Sequence, residues 1–172
     1  MPLQAALLRG VNLGKRKLIM SELRAACEGA GFTGVRTLLA SGNLILDAKL
    51  TGAKLELKLE KLILDEFGLK TDVFVRGADD LGAIIGANPF KSFTEASPTF
   101  MVVNFMRRKV TEAEMVAMEK SALTGEEFRQ GKSCLYIKFP SGQGPSKLKL
   151  PKLGTARNWN TVLKLAAALR GE

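Results

Sequence analysis

Three short polar blocks contain the residues of this chain that could bind a charged ligand. Each block is rich in arginine, asparagine and glycine, which supply guanidinium, amide and exposed backbone donors. The blocks are Arg9-Gly10-Val11-Asn12-Leu13-Gly14, Ser41-Gly42-Asn43 and Arg157-Asn158-Trp159-Asn160. Because such donors suit phosphate and carboxylate oxygens, the sequence predicts an anion-binding site, although it identifies no reaction and no substrate.

The first block lies between a predicted strand and a predicted helix, as phosphate-binding loops do. Its spacing, G-x-x-x-G-K-R, is one residue shorter than that of a nucleotide-triphosphate loop, and Arg16 stands where a magnesium-binding Ser or Thr is required. We therefore expect a generic anion site formed by Arg9, Asn12, Gly14 and Lys15. The alternative is a structural loop in which Arg9 and Asn12 satisfy nearby carbonyl groups.

The other two blocks also allow a ligand-binding and a structural interpretation. Ser41 and Asn43 are candidate ligands, but the same residues are typical of a hairpin turn. Asn158 is predicted to cap the last helix, whose positive end favours anions, with Arg157 beside it and Trp159 able to stack on a ring. In the alternative, Trp159 anchors the helix to the core and Arg157 pairs with a carboxylate.

Composition restricts the chemistry that these blocks could perform. The 172 residues include 26 Lys and Arg, 17 Asp and Glu and no histidine, which gives a formal charge of +9. Without histidine there is no Ser-His-Asp or Cys-His catalysis and no His-ligated metal, and no carboxylate lies within the blocks. We expect no metal and no cofactor, and whether the protein is an enzyme stays open.

The positive charge raises the affinity for phosphate-bearing partners, and nucleic acid is one of them. Basic clusters lie at residues 15–17 and 107–109 and at Lys147, Lys149 and Lys152. The predicted strands at residues 4–8 and 35–39 hold no aromatic side chain on which bases could stack, so contact without sequence preference is expected. A third function class is protein interaction, as a monomer or a homodimer with Trp159 at an interface.

Location and the cysteines are inferred from apolar patterning. No apolar stretch approaches the roughly 20 residues that cross a bilayer, and the first residues lack an export signal. We therefore expect a cytoplasmic protein without membrane contact. Cys27 and Cys134 lie in apolar segments without metal or redox spacing, which predicts two buried thiols.

Hydrophobic periodicity predicts an α+β fold in two parts. Residues 1–76 have the element order β-α-β-β-α-β of a ferredoxin-like domain, with Ser21 capping the first helix and Gly31 and Gly68 ending the two helices. In such a sheet, the loop after the first strand and the turn between the second and third strands lie at opposite ends. The second part would therefore have to fold across one end to bring the first and third blocks together.

Residues 77–172 are predicted to form a smaller α+β unit packed against the first. We expect a short helix, a loop over residues 90–98, a strand near residues 99–105 and a hairpin around Gly131. Thr111 and Glu114 form a capping box before the hairpin, and the last helix covers residues 159–169.

Three stretches resemble a known bacterial family, domain of unknown function 1697. They are ALLRGVNLGKRKLIMSELRAACEGAGFTGVRTLLASGN, VRGADDLGAIIGANPF and TARNWNTVLKLAAAL. The resemblance spans nearly the whole chain and implies a two-part α+β protein without an established activity. One difference is local: residues 146–155, SKLKLPKLGT, are shorter than the helical stretch between the Ser-Lys-Leu and Arg-Asn-Trp elements of similar proteins.

Overall fold

The computed structural model describes residues 2–10, 17–39 and 42–172. Within these residues the chain has an α+β fold with two four-stranded antiparallel sheets and six α-helices. The chain divides into two compact units, one made of Met1–Leu81 with Leu165–Glu172 and the other of Gly82–Lys164. Among the described helices, none is long and apolar enough to cross a membrane.

The first unit contains the four strands and two helices predicted for it. They are β1 (Leu3–Leu8), α1 (Met20–Gly29), β2 (Thr33–Thr37), β3 (Asn43–Asp47), α2 (Gly52–Phe67) and β4 (Val73–Gly77). The sheet order is β2-β3-β1-β4, and each neighbouring pair is antiparallel. The predicted β-α-β-β-α-β order is thus observed, whereas the ferredoxin-like assignment stays a prediction.

One face of this sheet packs on the core that α1 and α2 share. Leu55, Leu59 and Ile63 of α2 are fully buried there, and their helical spacing places them on one side of the helix. Leu23 and Cys27 do the same for α1. The leucine-rich stretch before Phe67 is therefore a helix, as its length and composition predict.

Helix α2 also protects the outer edge of the sheet. Strand β4 is an edge strand, and its outward amides would be open to pairing with another chain. Glu60 Oε2 accepts a hydrogen bond from Val73 N at 2.9 Å, and Glu56 Oε2 accepts one from Val75 N at 2.8 Å. Carboxylates one helical turn apart thus match amides two residues apart on an extended strand.

The second unit repeats the strand order of the first. Its elements are α4 (Lys91–Ala96), β5 (Met101–Met106), α5 (Glu112–Ser121), β6 (Glu127–Gly131), β7 (Cys134–Lys138) and β8 (Gly154–Asn158). Helices α3 (Ala78–Gly86) and α6 (Trp159–Leu169) precede and follow them. The sheet order β6-β7-β5-β8 corresponds to β2-β3-β1-β4 of the first unit. Residues 139–153, all of them described, contain no helix where the first unit has α2.

Several local signals in the sequence are confirmed. Thr111 and Glu114 form the capping box of α5, with Glu114 N donating to Thr111 Oγ1 at 3.1 Å. Gly31 and Gly68 follow the first two helices with φ of 96° and 63°, which glycine adopts without strain. Strands β6 and β7 form the hairpin predicted around Gly131.

Two expectations are wrong. Ser21 does not cap α1, because Ile19 occupies the N-cap position and its carbonyl accepts the amide of Leu23 at 3.0 Å. The predicted loop over residues 90–98 contains α4, whose first turn is stabilised by Thr94 Oγ1 donating to the carbonyl of Phe90 at 2.7 Å. The last helix covers residues 159–169 as predicted, and the strand β8 that precedes it, which pairs with β5, was not predicted.

Candidate functional site

Arg9 follows β1 and is held against the start of β4. Its amide donates to the carbonyl of Asp72 at 3.0 Å, and its carbonyl accepts the hydroxyl of Thr71 at 2.6 Å. The guanidinium lies 3.4 Å from Asp72 Oδ2, and both side chains are 39% exposed. Arg9 is thus a partly neutralised surface cation. The other candidates of this block, Asn12, Gly14 and Lys15, lie outside the described residues.

The second block contributes to the hairpin between β2 and β3. Asn43 is the first residue of β3, and only 2% of its surface is exposed. Its carbonyl accepts the amide of Leu38 at 3.0 Å, and the carbonyl of Gly42 accepts the amide of Leu8 at 2.9 Å. Asn43 is therefore part of the sheet. Ser41 lies outside the described residues.

The third block stabilises the junction of β8 and α6. Arg157 donates to Thr155 Oγ1 at 2.6 Å and to the carbonyl of Ala156 at 2.9 Å, and burial lowers its pKa to about 10. Asn158 Oδ1 accepts the amide of Thr161 at 3.0 Å, which is the predicted helix cap. Trp159 is 6% exposed and so lies among the buried residues.

Hydrogen bonds within the protein thus involve four of the candidates, and Trp159 is buried; the four are Arg9, Asn43, Arg157 and Asn158. Arg157, Asn158 and Trp159 are neighbours in the second unit, whereas Arg9 and Asn43 belong to the first. The single pocket that would join Arg9 to Arg157 stays a prediction. Cys27 and Cys134 are both buried thiols, as predicted. Burial, with a smaller effect of Glu28, raises the pKa of Cys27 to about 11, so that thiol is unreactive at neutral pH.

A groove in the second unit lies between α5 and the extended residues 147–152, and we call it the lysine groove. It comprises two adjoining depressions of about 450 and 470 Å³ that share Ala113, Ala117 and Lys149. Its apolar lining comes from both sides of the groove: Ala113, Val116, Ala117, Leu123, Leu150 and Pro151. Its charged rim comes from Lys120, Lys147, Lys149 and Lys152.

Alternation along the extended segment directs its lysines away from the core. Leu148 and Leu150 are half-buried and pack against the hydrophobic cluster of the second sheet, while Lys147 and Lys149 are exposed. Lys149 N donates to Ser121 Oγ at 2.8 Å, which attaches the segment to the last turn of α5. The lysines on the rim are therefore carried by a backbone that is fixed to the helix.

A second attachment fixes the beginning of the segment. Leu148 N donates to Ser146 Oγ at 3.1 Å, and Ser146 Oγ donates to Glu126 Oε1 at 3.0 Å. The amide and hydroxyl of Thr124 donate to the same carboxylate. Burial favours a raised pKa for Glu126, but these hydrogen bonds outweigh it and the pKa is lowered. Glu126 therefore acts as an ionised acceptor that organises the loop.

The four rim lysines carry uncompensated positive charge. None of them has an ion pair with a carboxylate among residues 2–10, 17–39 and 42–172. Glu114 also lines the groove, but Arg108 holds it with hydrogen bonds of 2.7 and 3.1 Å. These bonds, with that from the Thr111 amide, lower the pKa of Glu114 to about 2. The groove thus combines apolar surface with cations that can bind an external anion.

Part of the groove was visible in the sequence. Lys147, Lys149 and Lys152 stand out as a basic cluster, and their alternation with leucine is typical of an extended segment. What the sequence did not indicate is the helix face opposite them. Lys120 belongs to that face, and its proximity to Lys147 depends on the fold of the whole unit.

These observations define a two-unit α+β protein with a basic groove in its second unit. The family model described as "Protein of unknown function (DUF1697)" matches residues 1–136, and the chain belongs to this family. A solved structure described as conserved bacterial protein SP0830 from Streptococcus pneumoniae is similar in fold. It has a TM-score of 0.77 and 24% sequence identity, and the match covers 99% of each chain. Curated proteins give no match.

Proposed function

We propose that the protein binds an anionic ligand, through phosphate or carboxylate groups, in the lysine groove. One observation carries the proposal: four exposed lysines surround an apolar surface and have no carboxylate partner in the described part of the chain. The positive charges of neighbouring lysines repel one another, and an anion bound in the groove would reduce this repulsion.

The distribution of charge on α5 supports this proposal. Ala113, Val116, Ala117 and Lys120 recur at the spacing of one helix face, and this face holds no carboxylate. Glu112 and Glu119 occupy other positions of the helix and do not line the groove. Glu114 is the acidic residue of α5 that lines the groove, and its carboxylate is bound by Arg108 rather than by a rim lysine.

Titration calorimetry with tripolyphosphate at an ionic strength of about 0.1 M tests the proposal. The variant Lys147→Glu with Lys149→Glu reverses two exposed rim charges, and the control Lys132→Glu with Lys164→Glu makes the same change elsewhere on the second unit. Exposed ion pairs contribute up to about 1 kcal/mol each, so the groove variant should bind about thirtyfold more weakly. The control should stay within about threefold of wild type, because distant charges are screened.

Equal loss of affinity in both double variants would contradict the proposal, because the attraction would then come from net charge alone. Unchanged affinity in the groove variant would contradict it as well. Circular dichroism of each variant checks that the substitutions, all at exposed positions, leave the fold intact.

A further inference from the structure

The second unit lacks the helix that completes the first. Between β3 and β4 the first unit places α2, a helix of 16 residues, on its sheet. Between β7 and β8 the second unit has only the extended stretch that includes Leu148 and Leu150. A helix with its side chains is about 10–12 Å wide, whereas a strand occupies about 4.8 Å. The extended stretch therefore covers less of the surface beside α5 than a helix would.

We propose that the lysine groove receives an amphipathic α-helix of a partner protein, with carboxylates flanking its apolar stripe. This inference rests on the proposed anion binding in the groove and names the partner that supplies the anions. The partner helix would lie along α5, beside the lysines of the extended segment.

The apolar surface of the groove suits a helix. Ala113 and Ala117 are one turn apart on α5, and their small side chains allow another helix to approach to about 8 Å. Val116 and Leu123 are 46% and 72% exposed and line the same depression, so one apolar partner surface could cover both side chains. Positions 113 to 120 extend over about 10 Å, so they would contact about two turns of the partner.

The spacing of the lysines suits carboxylates on that helix. Lys147 and Lys149 alternate along an extended backbone, so their attachment points are about 6.6 Å apart. Residues four apart on a helix are about 6 Å apart. A partner with acidic residues at i and i+4 can therefore reach both lysines at once.

The first unit of this chain contains the same match of spacing. Glu56 and Glu60, four residues apart on α2, accept hydrogen bonds from Val75 N and Val73 N, two residues apart on β4. A helix with acidic residues at i and i+4 thus already binds donors at i and i+2 of an extended strand. In the lysine groove the donors would be ammonium groups, and the helix would come from another protein.

Fluorescence anisotropy with the full-length protein tests the inference. The ligand is a labelled synthetic peptide of about 16 residues, with leucines on one helix face and glutamates at flanking positions. A second peptide has the same composition but distributes its leucines around the helix. We expect the amphipathic peptide to bind about tenfold more tightly than the rearranged one.

Two groove variants separate the apolar and the charged contributions. Val116→Ser with Leu123→Ser should lower the affinity for the amphipathic peptide about tenfold and leave the affinity for the rearranged peptide unchanged. Lys147→Glu with Lys149→Glu should lower the affinity for both peptides. A peptide with lysines in place of its glutamates should bind this variant again. The control Lys132→Glu with Lys164→Glu should bind both peptides like wild type.

The outcomes distinguish the inference from the proposal beneath it. If wild type binds the two peptides equally and the Lys147→Glu, Lys149→Glu variant binds neither, the helix inference is overturned and anion binding remains supported. Binding that is unaffected by this variant would overturn both. A single-stranded RNA that displaces the amphipathic peptide and binds more tightly would assign the groove to nucleic acid and overturn the inference.

Discussion

Removing one hydroxyl should loosen the segment that carries the rim lysines. In Ser121→Ala, Lys149 N loses the acceptor that lies 2.8 Å away at the buried end of α5. The carbonyl of Ala117, which Ser121 Oγ also contacts at 2.6 Å, keeps its helical hydrogen bond. The cost is therefore that of one part-buried hydrogen bond, about 1 kcal/mol in the free energy of unfolding.

Two measurements on this variant test the reasoning. Urea unfolding followed by the fluorescence of Trp159, the single tryptophan, reports the free energy of unfolding. Hydrogen exchange of the Lys149 amide should accelerate about fivefold, since local opening no longer breaks this bond. The matched control is Ser92→Ala, at an exposed position of α4. A decrease of less than about 0.5 kcal/mol in the free energy of unfolding, with unchanged exchange at Lys149, would show that Ser121 does not attach the segment to α5.

Three further predictions concern stability. Glu56→Ala should lower the free energy of unfolding by about 3–5 kcal/mol in urea titrations, because it leaves the buried Arg76 guanidinium, 3.8 Å away, without this carboxylate. The hydrogen bonds from Arg108 lower the pKa of Glu114 to about 2. Their contribution to the free energy of unfolding is therefore complete above the pKa of the unfolded carboxyl group and is lost as pH falls toward 2. Thermal melting of wild type and Glu114→Gln should therefore converge at low pH. Asn158→Ala should cost about 1 kcal/mol by removing the cap of α6, and Asn158→Asp should cost less in the same melting assay.

The elements that the sequence predicted correctly depend on nearby residues. The capping box joins Thr111 to Glu114, three residues away, so the signal lies within one helical turn. The apolar spacing of the α2 segment suits both a helix and a strand, and its length and richness in Lys, Glu, Leu and Ala decide for the helix. These features depend on local geometry, and a single sequence carries them.

The elements that were missed depend on distant parts of the chain. Strand β8 has little apolar alternation, and it is a strand because its backbone pairs with β5 about 50 residues earlier. The sequence therefore did not predict a strand at Arg157. The lysine groove requires the contact of Ser121 with Lys149, 28 residues apart, which no local pattern encodes.

The lysine groove can be located directly by NMR titration of the isotope-labelled protein with tripolyphosphate at low ionic strength. We expect the largest amide shift changes on α5 and residues 147–152, with Lys120 and Lys149 among them. They should disappear in the Lys147→Glu, Lys149→Glu variant. Changes confined to residues 9–15 and 157–160, with α5 unaffected, would rule out anion binding in the lysine groove and place the anion at the polar blocks.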